Sequence, residues 1–472
     1  MSDREAFVAA VAASPEDDLP RLVFADWLDE NGESERAEFI RVQCELAKPA
    51  VRQDTDFRDP LLARMRSLLD AHRKRWMAPV AAALGFSGDD PPQPARAAEP
   101  PSFWRRVSGR LGLPRGPLAI PPEPQAKEIR DDFNGRCSTV TFTAERADDS
   151  PRPDWVGWEL SRGFVDHLSV NPGRFPEAAS LVELFRVEPV SGLDVHLTEG
   201  GESDQWRRLA GEHLNRVCTL RLVRVHPFGQ FDPRPLVEAV VRSPHLTGVR
   251  RLELGGPMNP NLAWSISPTI VRSPLFRRLT HLIAGRALDL VSHLLHAPSD
   301  VALRVLDLCE CGPLADLHRL PFRDRIEALI LAESGSDPSF VFRPGDAAWP
   351  RLRMLDLKGW RPNWAQAEVF TTNLFPELRE LFLHWQQLGP DGANTLAAAP
   401  FLPQLEILDV SNNQLGDLEV LAIADRLDLK RVRHLDLTGN PLSHSVREEL
   451  VSRFGERVYV DTGNETGNPG WG

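Results

Sequence analysis

The chain has 472 residues, 42% of them hydrophobic, and a formal net charge of −12 at pH 7. That length exceeds what one hydrophobic core supports, so several domains or a repeat array are expected. The acidic balance argues against general nucleic-acid binding, which needs a basic footprint, and no apolar run reaches the length of a membrane span.

The N-terminus, MSDREAFVAAVAASPEDD, flanks a short Ala-rich stretch with acids and reads as a folded helix, not a secretion signal. Five cysteines (Cys44, Cys137, Cys218, Cys309 and Cys311) form no CxxC pair. Neither a disulfide framework nor a zinc site is suggested, and a reducing cytoplasm is the expected location.

Residues 5–13, 20–30 and 33–47 read as three helices, with Phe24, Trp27 and Leu28, then Phe39, Val42 and Leu46, at helical spacing. Asn31-Gly32 ends one helix and Glu33 opens the next. Residues 1–48 hold twelve acidic against five basic residues. Asp26, Asp29, Glu30, Glu33, Glu35 and Glu38 fall mostly off the apolar stripe, and no His precedes His72. They therefore read as a solvated or partner-facing surface, not as a metal or acid–base site. PRLVFADWLDENG followed by RAEFIRVQCELA resembles the bacterial repeat-companion domain. That resemblance covers about residues 2–48 and implies a non-catalytic module placed ahead of repeats.

Residues 49–86 are expected to be a helical extension, amphipathic over 60–85. Its basic residues Arg64, Arg66, Arg73, Lys74 and Arg75 are placed to pair with the acidic head. From Ser87 to Glu128 ten prolines occur among forty-two residues, the composition of a linker over 87–128. Within it FWRRVSGRLG, residues 103–112, reads as an ordinary surface segment.

The remainder is periodic. LEILDVSNNQL from Leu405 and VRHLDLTGNPL from Val432 share one frame of apolar positions ending in Asn and Leu. Leu378, Leu352 and Leu303 start further copies, and Ile326, Leu279, Val249, Val217, Val190 and Val165 start weaker ones. The eleven starts lie 23 to 32 residues apart, near 27 on average. Pro244, Pro274, Pro298 and Pro400 each precede a start by five residues, and Pro350 and Pro376 by two, which suits helix exits.

This pattern resembles leucine-rich repeats of the ribonuclease-inhibitor type. The fold it implies is an α/β solenoid, a horseshoe with a parallel concave sheet and convex helices, preceded by a small all-α domain. The array is assigned to residues 129–457, with WVGWELSRGF (155–164) as a cap at its start. Residues 458–472 are read as a closing strand and tail. The Asn position (Asn413, Asn440) turns the chain and satisfies backbone of adjacent coils. Cys311 falls on that position, which such repeats allow, and is read as structural.

The outward column of the sheet runs Ser169, Asp194, Arg221, Glu253, Ile283, Asp307, Ile330, Asp356, Phe382, Asp409, Asp436. Six of these eleven are acidic, where 67 acids in 472 residues would place about 1.6. The column two residues on adds His196, Lys358, His384, Ser411 and Thr438, with Trp360 and Trp385 at the strand edge. The residues expected to contact a partner are Asp307, Asp356, Lys358, Phe382, His384, Trp385, Asp409 and Asp436.

No GxxxxGK[ST], HExxH or GxSxG motif occurs. His293 and His296 share a helix face without a further ligand nearby, so no metal and no cofactor is expected. The expectation is a non-enzymatic scaffold gripping a basic or mixed-charge protein on its concave face, with no nucleic-acid or membrane partner. The alternative is an enzyme or enzyme regulator in which the repeats only supply specificity and residues 1–85 act.

Overall fold

Leu355, Leu381, Leu408 and Leu435 stand opposite one another on adjacent parallel strands and are at most 1% exposed. The apolar row read from the sequence is thus one continuous buried row. The computed structural model describes residues 2–14, 17–48, 55–83, 93–94, 140–145, 155–162, 164–170, 178–197, 212–224, 234–255, 260–285, 290–309, 311, 314, 316–332, 341–343, 345–359 and 368–461. The proline-rich linker apart from residues 93–94, the 103–112 segment, Cys137, Trp360 and the tail from 462 lie outside the described residues. By its contacts the chain divides into two units, residues 1–221 with 243–248, and residues 222–242 with 249–472.

The first unit opens with α1 (Asp3–Ala13), α2 (Leu19–Glu30), α3 (Ser34–Leu46) and α4 (Thr55–Ala83). Ser2 and Glu5 cap α1 reciprocally, each side chain accepting the other's backbone N–H. Gly32, at φ +79°, lets the chain leave α2 where Asn31-Gly32 signalled an end.

Strands follow: β1 (Gln93–Pro94), β2 (Val140–Glu145), β3 (Trp155–Ser161) and β4 (Phe164–Val170) pair antiparallel in order. Helix α5 (Ala178–Val187) then leads to β5 (Gly192–Leu197), parallel to β4, and β6 (Thr219–Arg224) carries the chain out of the unit. Val165, Val190 and Val217, the first three frame starts, are each buried.

The helices do not stand apart from these strands. Phe24 of α2 stacks on Phe164 of β4 at 5.4 Å between ring centroids, inside a core that also holds Val8, Val11, Leu28 and Ile40. Arg36 of α3 lies 3.7 Å from Glu188, just past α5, both almost fully buried. Its guanidinium also faces the rings of Trp76, Phe39 and Phe164 at 5.0, 5.7 and 5.9 Å. Glu188 in turn accepts the Val165 N–H. Burial pushes the Glu188 carboxyl up and the Arg36 guanidinium down, each opposed by the other's charge. At the surface, Arg186 of α5 binds Glu5, and Arg162 lies near Asp18.

The acidic head is largely spoken for. Arg41 holds Asp26 and Asp29, Arg4 holds Glu33, and Arg64 of α4 holds Glu38 with two hydrogen bonds. The pairing between acidic head and basic helix is therefore real at Glu38–Arg64. Among the described residues no group of three His, Cys, Asp or Glu side chains could hold a metal ion, and no helix is long and apolar enough to cross a membrane.

In the second unit nine strands run parallel in chain order: β7 (Arg251–Gly255), β8 (His281–Ala284), β9 (Val305–Asp307), β10 (Ala328–Ile330), β11 (Met354–Asp356), β12 (Glu380–Phe382), β13 (Ile407–Asp409), β14 (His434–Asp436) and β15 (Val458–Tyr459). Helix α6 (Arg234–Val241) precedes them, and between them lie α7 (Pro260–Val271), α8 (Leu290–Leu294), α9 (Gly389–Ala397), α10 (Asp417–Ala424) and α11 (His444–Phe454). Pro244, Pro274, Pro298 and Pro400 each sit three or four residues past a helix end, as their phase predicted.

Among the described residues an α-helix is not found in every coil. The copy from Leu303 to Ile326, only 23 residues long, uses two 3₁₀ turns, Leu317–Arg319 and Arg323–Arg325. The 24-residue copy before it has room for α8 alone, five residues long, whereas the 30-residue copy from Val249 carries the twelve-residue α7. Repeat length sets what returns the chain: 3₁₀ turns rise faster per residue and fit the shorter copies.

The turn after each strand is satisfied by a repeated device. The Asn413 amide donates to the Leu383 and Ser411 carbonyls and accepts from the Gln386 N–H; Asn440 donates to Val410 and Leu437 and accepts from Asn413 and Leu415. Cys311 does the same with sulfur, its thiol donating to the Ala284 carbonyl, and Gln386 reaches the Leu357 carbonyl. In each case one donated bond goes back to the same frame position of the preceding coil, the carbonyl of Leu383, Val410, Ala284 or Leu357. Burial pushes the thiol of Cys44 up to about 12, so it too is a packing residue and not a nucleophile.

Replacing Arg36 by Met removes the charge that compensates Glu188 in a dry site. Breaking one side of a buried pair costs about 3–5 kcal/mol. The expected outcome is a clearly lower urea midpoint for the first unit, followed by the fluorescence of its tryptophans; an unchanged midpoint contradicts the junction described here.

Candidate functional site

Strands alternate their side chains, so the residues flanking each buried Leu emerge on the opposite face. In register across β9 to β15 these are Asp307, Ile330, Asp356, Phe382, Asp409, Asp436 and Tyr459. The column expected from the sequence is therefore a physical row. Beside it runs a second row that the sequence reading passed over, Val305, Ala328, Met354, Glu380, Ile407 and His434. It is mixed in character, so composition alone did not make it stand out.

The aspartates have a local task. Asp307 Oδ1 accepts the Cys309 N–H, Asp356 that of Lys358, Asp409 that of Ser411 and Asp436 that of Thr438, at 2.8–3.0 Å. Asp409 and Asp436 also accept the Ser411 and Thr438 hydroxyls. Each carboxylate thus closes the turn two residues on, as short acidic side chains do. Part of the acidic excess in this column belongs to the fold.

Exposure then divides the row. Asp356 is only 2% exposed, flanked in register by Ile330 and Phe382. It does not present its charge as the sequence reading expected. Burial raises its pKa to about 6, helped by Asp307 and Asp409 and opposed by the bond from Lys358. Asp409 is partly open, with its side chain 21% exposed. Earlier in the chain the acids are neutralised: Arg221 pairs with Asp194 at 2.9 Å, and Arg251 binds Glu253. Among the described residues Asp436 has no Arg or Lys partner, so the net negative charge of the second unit's sheet face collects in the late coils.

His384 sits among these groups. Its Nδ1 meets the Ser411 hydroxyl and lies 3.9 Å from Asp409. Burial lowers its pKa, with Asp409 pulling up and Lys358 pulling down. His434, lowered likewise by burial, packs against Tyr459 at 4.5 Å. Ser411 is 1% exposed, so its contacts with His384 and Asp409 do not form a nucleophile open to substrate.

Trp385 is the exception on this edge. It is 55% exposed, next to His384 at 5.8 Å between rings, and its backbone has φ +61°. The same frame position is Gly359 (φ +71°), Asn412 (φ +54°) and Gly439 (φ +69°) in neighbouring coils. The turn demands a left-handed residue, which Gly and Asn supply readily. A β-carbon there costs roughly 1–2 kcal/mol, and Trp385 recovers little of it through burial. The signal was present in the sequence as a Gly–Trp–Asn–Gly column. Trp360, the other expected edge aromatic, lies outside the described residues.

The raised pKa of Asp356 has a definite sign. Its folded value of about 6 exceeds the ordinary 3.8, so the native state binds the proton more tightly than the unfolded chain. The carboxyl favours folding only while protonated, and stability falls as pH rises from about 4 through 6. Asp356→Asn keeps an acceptor for the Lys358 N–H and removes the charge. It is expected to stabilise the protein at pH 7.5 by about 2–3 kcal/mol, with the gain vanishing near pH 4, measured by urea unfolding across pH.

No family model matches the chain, and no curated protein matches it. Among solved structures it is similar to the crystal structure of a protein from Bacteroides fragilis, with 15% identity, 72% of this chain and 97% of that chain covered, and a TM-score of 0.37.

Proposed function

We propose that the chain is a leucine-rich repeat protein with an N-terminal repeat-companion domain, and that it works as a non-enzymatic scaffold. Its sheet face holds a protein partner of basic or mixed charge. The observation that carries this reading is one row in register on the sheet face, Asp307 on β9, then Phe382, Asp409 and Asp436 on the adjacent strands β12 to β14, beside an exposed Trp385. A row of charges interspersed with exposed apolar side chains suits recognition of a macromolecule better than enclosure of a small one.

Helices α1–α4 serve the array in this reading by covering its first coils, through Phe24 and Arg36. The end of a repeat array needs such a cover. A reducing cytoplasm fits the role of Cys311, whose free thiol is the hydrogen-bond donor that its turn uses.

The test is affinity capture from the source cells by the full chain and by an Asp307→Asn, Asp409→Asn, Asp436→Asn variant. Asn retains the acceptor that closes each turn, so folding is preserved while charge is lost. Retention of the partner is expected to fall about ten- to a hundredfold and to weaken with added salt. Equal capture by both proteins at low and high salt contradicts the reading.

A further inference from the structure

Resting on that reading, we propose that Trp385 is the anchor of the recognition face and receives an arginine side chain of the partner protein. Three independent features converge on it. The first is conformational: the neighbouring turns place Gly359, Asn412 and Gly439 at this position, and Trp385 puts a large side chain on the same left-handed backbone. The second is exposure: at 55% it is the most open aromatic among the described residues' large exposed hydrophobics, so packing does not account for its presence.

The third is charge. Beside it the His384 ring stands 3.9 Å from the Asp409 carboxylate of β13, and Asp436 of β14 also acts on that ring. Lys358 also reaches the patch, one cation against two carboxylates. An indole face in a negative field favours a cation, and the planar guanidinium both stacks on the ring and forks onto a carboxylate. Trp and Arg are the residues that dominate binding energy at protein interfaces. An acidic or purely apolar partner segment would gain nothing from these neighbours.

The strain supplies a test that a packing role would fail. Trp385→Asn places in this coil the residue that Asn412 already provides in the next, so the thermal midpoint of the full chain is expected to stay level or rise. A dye-labelled peptide of alternating Arg and Gly, read by fluorescence polarisation, is expected to bind the native chain. Its affinity should fall at least about tenfold in Trp385→Asn and remain within about threefold in Trp385→Tyr. A matched Glu–Gly peptide should not bind.

A lower midpoint in Trp385→Asn, unchanged affinity for the Arg peptide, absence of Arg-peptide binding, or equal binding of the Glu peptide each overturns the anchor. If the Asp409→Asn, Asp436→Asn variant loses the Arg peptide while Trp385→Asn keeps it, the anchor falls and the acidic-face reading stands. If neither variant changes binding or partner capture, both fall.

Discussion

The structure depends on one constraint: a coil of this length cannot satisfy its own turn. The backbone leaving each strand curls back on itself and strands a carbonyl and two N–H groups beneath the row of leucines. Asn413 and Asn440 answer for them by reaching into the preceding coil, and Gln386 and Cys311 likewise reach back to the carbonyl. An unmet buried polar group costs about 1–3 kcal/mol. The relay therefore ties each coil to its neighbour in fixed register, and the register in turn lines up Leu355, Leu381, Leu408 and Leu435.

The same logic governs the beginning of the array. Phe164 and Val165 carry the first frame and would have no preceding coil to bury them. Helices α2 and α3 fill that place with Phe24 and with Arg36, which brings its own charge into the core and meets Glu188 there. Apolar residues at both sites together would pack more cheaply. The ion pair instead makes the docking of the helices specific, because Glu188 also holds the Val165 N–H at the start of the first parallel coil.

On the open face, the residues proposed for recognition also serve the fold. An aspartate at the end of a strand closes a turn with one oxygen and faces outward with the other, so its frequency alone does not measure binding. What separates the two roles is the neighbour. Asp356 between Ile330 and Phe382 is closed off, Asp194 and Glu253 are neutralised by arginines, and Asp409 and Asp436 keep an open charge. Trp385 belongs to the other kind of residue, one whose local backbone cost has no local return.

The sequence by itself determined the repeat frame, because a periodic apolar row has to face one core wherever the chain goes. All eleven starts lie on strands or just before them, down to Val165, and the proline phase marked the ends of α6, α7, α8 and α9. The helices of residues 3–46 and the structural role of Cys311 were legible for the same local reason. What only the tertiary structure decided were the long-range pairings: Arg36 with Glu188, Phe24 with Phe164, and the closing-off of Asp356. Those contacts join residues far apart along the chain, and no periodicity or local propensity encodes which distant side chain will arrive opposite another.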